Sequence, residues 1–207
     1  MTSQTVSAIA LLALGIVVCL VVTFQPELIR TPGGKVMAFV ALFVFPVTAS
    51  WTGLSAQLEK SKETQFCLSC HVMENFGRTL WIDDPTYIPA KHYQNNRIPR
   101  DEACYTCHTT YTLYGPVLAK LRGLRHVYVE YFGKIPKPED IKLYTPFNNR
   151  ECLHCHAGGR SFEEGSTHQD FLKEIKSNAR SCVSSGCHED VHNHGQLNGL
   201  AFWKGVQ

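Results

Sequence analysis

The chain has 207 residues, a formal net charge of +2 and 44% hydrophobic residues. That length suits one ordinary domain plus extra segments. The near-neutral charge offers none of the basic surface that nucleic-acid binding needs, so no nucleic-acid partner is expected.

Apolar residues are concentrated in the first quarter. Val6 to Phe24 and Val36 to Leu54 are each free of charged residues. Each is close to the roughly 20 residues that a helix needs to cross a hydrocarbon core of about 30 Å. A cleaved secretory signal fits the first segment less well, since no basic stretch precedes it and no A-x-A site ends it. A buried core helix is the rival for the second, which contains Pro46 and a Ser/Thr/Gly-rich end; proline is tolerated in membrane helices, so the span is kept. QPELIRTPGGK joins the two as a turn carrying Arg30 and Lys35. Short basic loops stay on the cytoplasmic side. The expectation is therefore a two-pass anchor over residues 1–55 in the bacterial cytoplasmic (inner) membrane, with both ends outside. Trp51 then lies at the outer interface, and residues 56–207 form a domain on the periplasmic face.

Nine cysteines follow a simple rule. Cys19 stands alone inside the first span, where it reads as a small apolar residue. The other eight form four pairs, each followed at once by histidine: Cys67-x-x-Cys70-His71, Cys104-x-x-Cys107-His108, Cys152-x-x-Cys155-His156 and Cys182-x4-Cys187-His188. A zinc site gives no reason for a histidine after every pair. A thioredoxin-type dithiol occurs once, in a βαβ setting. Structural disulfides suit an outer compartment but do not call for histidine. Covalent c-type haem accounts for all of it: two thioether links hold the porphyrin edge and the adjacent histidine ligates iron. In the fourth motif Gly186 lets the longer loop bend. Four haem c groups are thus expected, with the porphyrins serving as the core of a polar, turn-rich domain too small for much of a side-chain core.

Pro116 to Phe132 has apolar residues near a 3.6 period and stops at Gly133, which predicts a helix; Phe171 to Lys176 predicts a shorter one. No alternating strand pattern appears, so the expected fold is mainly α with extensive loops: a multihaem cytochrome c domain on an N-terminal transmembrane helix hairpin.

Beyond the four proximal histidines, His92, His126, His168, His192 and His194 are candidate distal ligands. His92 and His168 rank first, each isolated between two motifs, while His192 and His194 compete for one role. His154 lies inside a C-x-x-C loop, where a surface role or one beside a ligand fits better than ligation of its own iron.

At this point the residues carry a resemblance. Cys67-x-x-Cys70-His71-x-Met73, His92-x-x-Asn95, Gly115-Pro116 with Lys120 behind the second motif, His168 and His192 resemble the NapC/NirT/NrfH family of membrane-anchored tetrahaem quinol dehydrogenases, over about residues 55–195. The resemblance implies that a first haem at the membrane accepts electrons from menaquinol or ubiquinol. It also implies that Met73 replaces His71 on the first iron in some members, and both remain open here. The chain departs from the family in its two-helix anchor, in the C-x4-C-H motif, and in offering His126 and Glu130 where a carboxylate is usual.

Quinol gives up two electrons and two protons, whereas haem takes one electron and no proton, so a titratable group must collect the protons. The candidates are Lys120, His126 and Glu130, with Asp83, Asp84 and Lys91 between the first two motifs. A periplasmic or membrane-bound redox protein such as a reductase must take the current, in a hetero-oligomeric complex. Current in the opposite direction, from a periplasmic oxidase into quinone, and a purely electron-transferring subunit of a larger membrane complex are the alternatives. A haem-based sensor has no output domain to recommend it.

Overall fold

A computed structural model describes residues 3–192 and 197–205, side chains at positions 4 and 138 excepted. It is mainly helical, and its described residues contain no strand, only an isolated antiparallel bridge between Ile82 and Phe202. The chain divides into two compact units, residues 1–61 and 62–207.

The first unit is a hairpin of two helices, α1 (Ser3–Phe24) and α2 (Pro32–Lys60), each long and apolar enough to cross a membrane. The seam between them is lined by the buried Ala8, Ala41 and Ala49, and a side chain at Gly15 would come within 3.5 Å of Phe45. Small residues let helix backbones approach closely where lipid supplies no hydrophobic drive. Their other faces expose Leu12, Ile16, Leu20, Phe39, Phe43 and Val47.

The second span is longer at both ends than the charge-free stretch 36–54. Thr31 caps it by accepting the Gly34 N–H at 3.0 Å, and Pro32 occupies the first helical position, where its missing N–H costs nothing. The Pro-Gly-Gly sequence, read as turn, is therefore helix, and the connection is a single 3-10 segment, Pro26–Arg30. Gly34 is required there: a Cβ would lie 1.6 Å from the Leu28 carbonyl oxygen. Pro46 leaves one ladder bond unmade, and the helix absorbs this in a π turn over Val40–Val44, where Phe45 N–H donates to the Val40 carbonyl.

The second unit carries the second and third motifs on short helices and the fourth in a loop; its helices are α3 (Thr64–Leu68), α4 (Glu74–Arg78), α5 (Ile88–Gln94), α6 (Ala103–His108), α7 (Gly115–Phe132), α8 (Arg150–His156), α9 (Arg160–Glu163) and α10 (Ser166–Lys176). Among its described residues the side-chain core is small: Ile82, Tyr87, Ala90 and Leu197, with Leu200 and Phe202 against them. The C-terminal segment straps onto this core, Trp203 N–H donating to the Trp81 carbonyl at 2.7 Å while the two indoles stack.

Polar ties do what a larger core would otherwise do. The Thr64 hydroxyl donates to the Arg100 carbonyl (2.9 Å) and accepts the Ala103 N–H (2.8 Å), fastening the first motif to the second. Asn149, 1% exposed, donates to the Ile175 and Arg180 carbonyls (2.9 and 2.6 Å) and accepts the Cys182 N–H (2.8 Å). That fastens the third motif to the fourth.

Candidate haem centres

On α6 and α8 the Cys-x-x-Cys-His spacing places both sulfurs and the histidine on one helical face. The first and fourth motifs are not continuous helices. Helix α3 ends at Leu68, Cys70 is extended, and a 3-10 turn holds His71–Met73. The fourth motif is a loop that turns at Gly186, whose φ of +77° favours glycine, and closes through His188 N–H to the Cys182 carbonyl at 3.0 Å.

Three of the four motif histidines face a second imidazole. Ring centroids are 5.9 Å apart for His156 and His92, 6.2 Å for His108 and His192, and 6.0 Å for His188 and His168. Two imidazoles on opposite sides of one iron, at ordinary metal–nitrogen lengths of about 2 Å, hold their centroids roughly 6 Å apart. The residues present therefore fit bis-histidine iron at three places.

The tautomers agree with that fit. His92 Nδ1 lies 2.8 Å from the Ile88 carbonyl, which can only accept, so Nδ1 carries the proton and Nε2 keeps its lone pair. Thr79, fully buried, donates its hydroxyl hydrogen to the Phe76 carbonyl at 2.6 Å, so at 2.8 Å it can only accept from His192 Nδ1. Both imidazoles are thus oriented through Nδ1 and present Nε2, as ligand histidines are. Burial, the largest cause in each case, pushes the His108, His156 and His188 imidazoles down toward the neutral form that binds metal. The charge of His126 adds to this at His108, those of His92, His188 and His168 at His156, and those of His168, Lys91 and His92 at His188.

The attachment cysteines lie beside one another in chain order. As free thiols, Cys104 donates a hydrogen bond to Cys67, which brings Cys67 down to about 7 and raises Cys104. Burial, with the charge of Cys155 added, pushes Cys107 up. Cys152 donates to Cys182, which falls to about 7, while Cys152 rises.

Among the described residues no second imidazole pairs with His71. His126 lies instead 3.3 Å from the Tyr144 hydroxyl, with the Arg125 guanidinium 4.2 Å above that ring. His194 lies outside the described residues. His154 stacks on Tyr111 at 3.7 Å.

The proton-acceptor candidates separate. Lys120 Nζ sits 4.5 Å over the Tyr105 ring, close enough to Cys67 to help lower its thiol. The Asp84 carboxylate is engaged by the Thr86 N–H and hydroxyl at 2.8 and 2.7 Å, which lower its pKa. Asp83 ties the C-terminal strap through its backbone N–H to the Ala201 carbonyl. Lys91 acts on His188, at the fourth motif. Glu130 is exposed on α7. Tyr105, Thr79, Tyr144 and Asn149 escape sequence reasoning because nothing local marks them. The Tyr105 and Thr109 hydroxyls are buried without a hydrogen-bond partner, and both line an open cavity of about 480 Å³ beside α6.

Comparison with known proteins matches the NapC/NirT cytochrome c family, N-terminal region, to residues 32–197. The chain belongs to the NapC/NirT cytochrome c family. As a family member it is a membrane-associated c-type cytochrome of electron transfer, carrying covalently bound haem c. It is 24% identical over 166 residues to the cytochrome c-type protein NapC of Haemophilus influenzae, covering 73% of this chain and 78% of that one. It is 28% identical over 132 residues to NapC of Escherichia coli K12, covering 58% of this chain and 60% of the relative. It is 24% identical over 180 residues to the denitrification system component NirT of Stutzerimonas stutzeri, covering 78% and 81%. No solved structure gives a significant match.

Proposed function

We propose that this cytochrome holds four haems, takes electrons from membrane quinol at the first and passes them to a redox partner outside the cytoplasmic membrane. The observation that carries the reading is the ligand supply among the described residues: three motif histidines each face a second imidazole, and His71 of the first motif faces none of those described. Saturated low-spin iron suits relay, and an iron with one strong ligand suits an end of the relay where a donor approaches.

The assignments are these. Thioethers form at Cys67 and Cys70, Cys104 and Cys107, Cys152 and Cys155, and Cys182 and Cys187. Distal His192 completes the second site, His92 the third and His168 the fourth, while His71 or Met73 holds the first. When bound, the haems supply one-electron transfer. The side-by-side attachment of Cys67 and Cys104, Cys107 and Cys155, and Cys152 and Cys182 supports a relay in chain order. Lys120, beside Cys67, orients the quinol through its ammonium. His126 accepts a proton: burial first, then Arg125, lowers its pKa and keeps the imidazole neutral and basic. Tyr144 holds its ring, and Glu130 passes protons to water.

Intact mass analysis of the purified protein, with stopped-flow reduction by a menaquinol analogue, tests the reading. Four covalent haems and rapid reduction are expected. Three haems, or a full complement that quinol leaves oxidised, would remove it.

A further inference from the structure

Residues 109–151, between the second and third motifs, form the longest stretch joining neighbouring motifs, against 72–103 and 157–181. The chain itself therefore does least to fix this gap, and one side chain ties it. Tyr111 donates its backbone N–H to the Glu151 carboxylate at 2.9 Å and its hydroxyl hydrogen to the Thr106 carbonyl at 2.8 Å. Its ring stacks on His154 at 3.7 Å, the two planes 12° apart. Thr106 lies between the cysteines of the second motif; Glu151 precedes the third motif and His154 lies inside it.

Each tie has a local cause. Helix α6 ends at His108, which leaves the Thr106 carbonyl among the last four without a helical partner, and the phenol supplies one. A tyrosine side chain has only two torsions, so a ring held at its backbone, its face and its tip cannot slide. Helical spacing puts Thr106 and His154 on the sides of α6 and α8 that turn away from haem attachment. Two open cavities, of about 580 and 480 Å³, both have Tyr111 and His154 in their walls, so the stack is the wall they share. The phenol still lies beside the attachment sulfurs of both motifs. Burial, the largest cause, raises it, and the charges of Cys155 and Cys107 as thiolates add to this.

We propose that Tyr111 is the positioning residue for the step from the second haem to the third. Its clamp fixes the gap across which one electron passes, the second iron going from ferrous to ferric and the third from ferric to ferrous, with no proton moved. Transfer across such a gap slows steeply as the gap widens. A residue that is no iron ligand therefore sets the rate by holding the two attachment segments together. This rests on the relay in chain order proposed above.

Tyr111→Leu loses the stack and the hydroxyl; Tyr111→Phe loses the hydroxyl alone. Both are compared with the parent as full haem-loaded proteins, with four haems confirmed by intact mass. Circular dichroism in the Soret band reads the separation and orientation of neighbouring haems, and stopped-flow reduction by a menaquinol analogue reads the order in which they fill. The parent should fill in one phase. Tyr111→Leu should change the Soret couplet and fill in two, the third and fourth haems lagging severalfold behind the first two, and Tyr111→Phe should lag less. Dithionite, which reaches the haems from solvent, should show no such lag. Tyr111→Leu with the parent's couplet and a single phase would overturn the proposal. If Tyr111→Leu does not hold four haems, Tyr111→Phe decides: a lag supports the clamp and parental behaviour overturns it. A parent that quinol leaves oxidised removes the quinol reading alone. The Soret couplet then decides for the clamp, altered in its favour or unchanged against it.

Discussion

Replacing Thr79 with valine asks whether His192 is an iron ligand oriented from behind. Valine keeps the shape of threonine and removes the only described acceptor of the His192 Nδ1 proton, at a position that is 0% exposed. A buried N–H left without an acceptor costs about 1–3 kcal/mol. Losing an outer partner of a ligand histidine weakens metal binding by roughly 10- to 100-fold. The lower end, about tenfold or 1.4 kcal/mol, is the safer expectation, because Phe76 packs edge-on against the ring at 5.5 Å and limits its rotation. If the loss falls on one oxidation state of the second haem alone, its potential moves by roughly 59 mV. The assay is carbon monoxide binding to the fully reduced protein. Thr79→Val should create one haem that binds carbon monoxide about tenfold more readily, and Thr79→Ser, which keeps the hydroxyl, should behave as the parent does. Unchanged carbon monoxide binding and spectrum in Thr79→Val would refute the reasoning, and so would an equal defect in Thr79→Ser.

Two further substitutions test the scaffold. Asn149→Ala removes three hydrogen bonds from a side chain that is 1% exposed and strands the Cys182 N–H, so a loss of about 3 kcal/mol or more is expected. It reads as a lower unfolding temperature and a larger share of protein lacking the fourth haem in intact mass spectra. Gly34→Ala drives a methyl group onto the Leu28 carbonyl oxygen and should open the turn after Pro26–Arg30. Limited proteolysis of vesicle-bound protein should then cut within residues 25–36, while Gly33→Ala, which meets nothing within 4 Å, should leave the turn protected.

The haem motifs, the two spans and the helix at 115–132 are legible in the sequence because each is encoded locally, by contiguous spacing or a continuous apolar run. The start of α2 was equally local, yet Pro-Gly-Gly looks like turn unless Thr31 and Pro32 are read as cap and first residue. Distal pairing is a different kind of fact. His92 and His168 stand out in the sequence as isolated histidines, but nothing local says that His92 faces His156 rather than His71. His192 faces His108 through folding of the segment beyond the fourth motif, held by Thr79 across most of the unit. Tyr144, which occupies His126, is likewise fixed by tertiary contact.

Thr64 and Asn149 each stand three residues before the first cysteine of a motif, and each is fastened to the motif that follows. Each polar side chain therefore sets one motif against the next. That economy follows from how little apolar surface this unit buries: eight side chains among its described residues, of which Ala90 and Ala103 are small. Apolar packing tolerates sliding by a fraction of a side chain, whereas a buried amide with three partners has one position that satisfies all of them. Attached cofactors separated by a relay distance need the second kind of fixing. Thr64 should therefore hold the first motif to the second, and Asn149 the third to the fourth, even where the surrounding apolar residues are exchanged for others of similar volume.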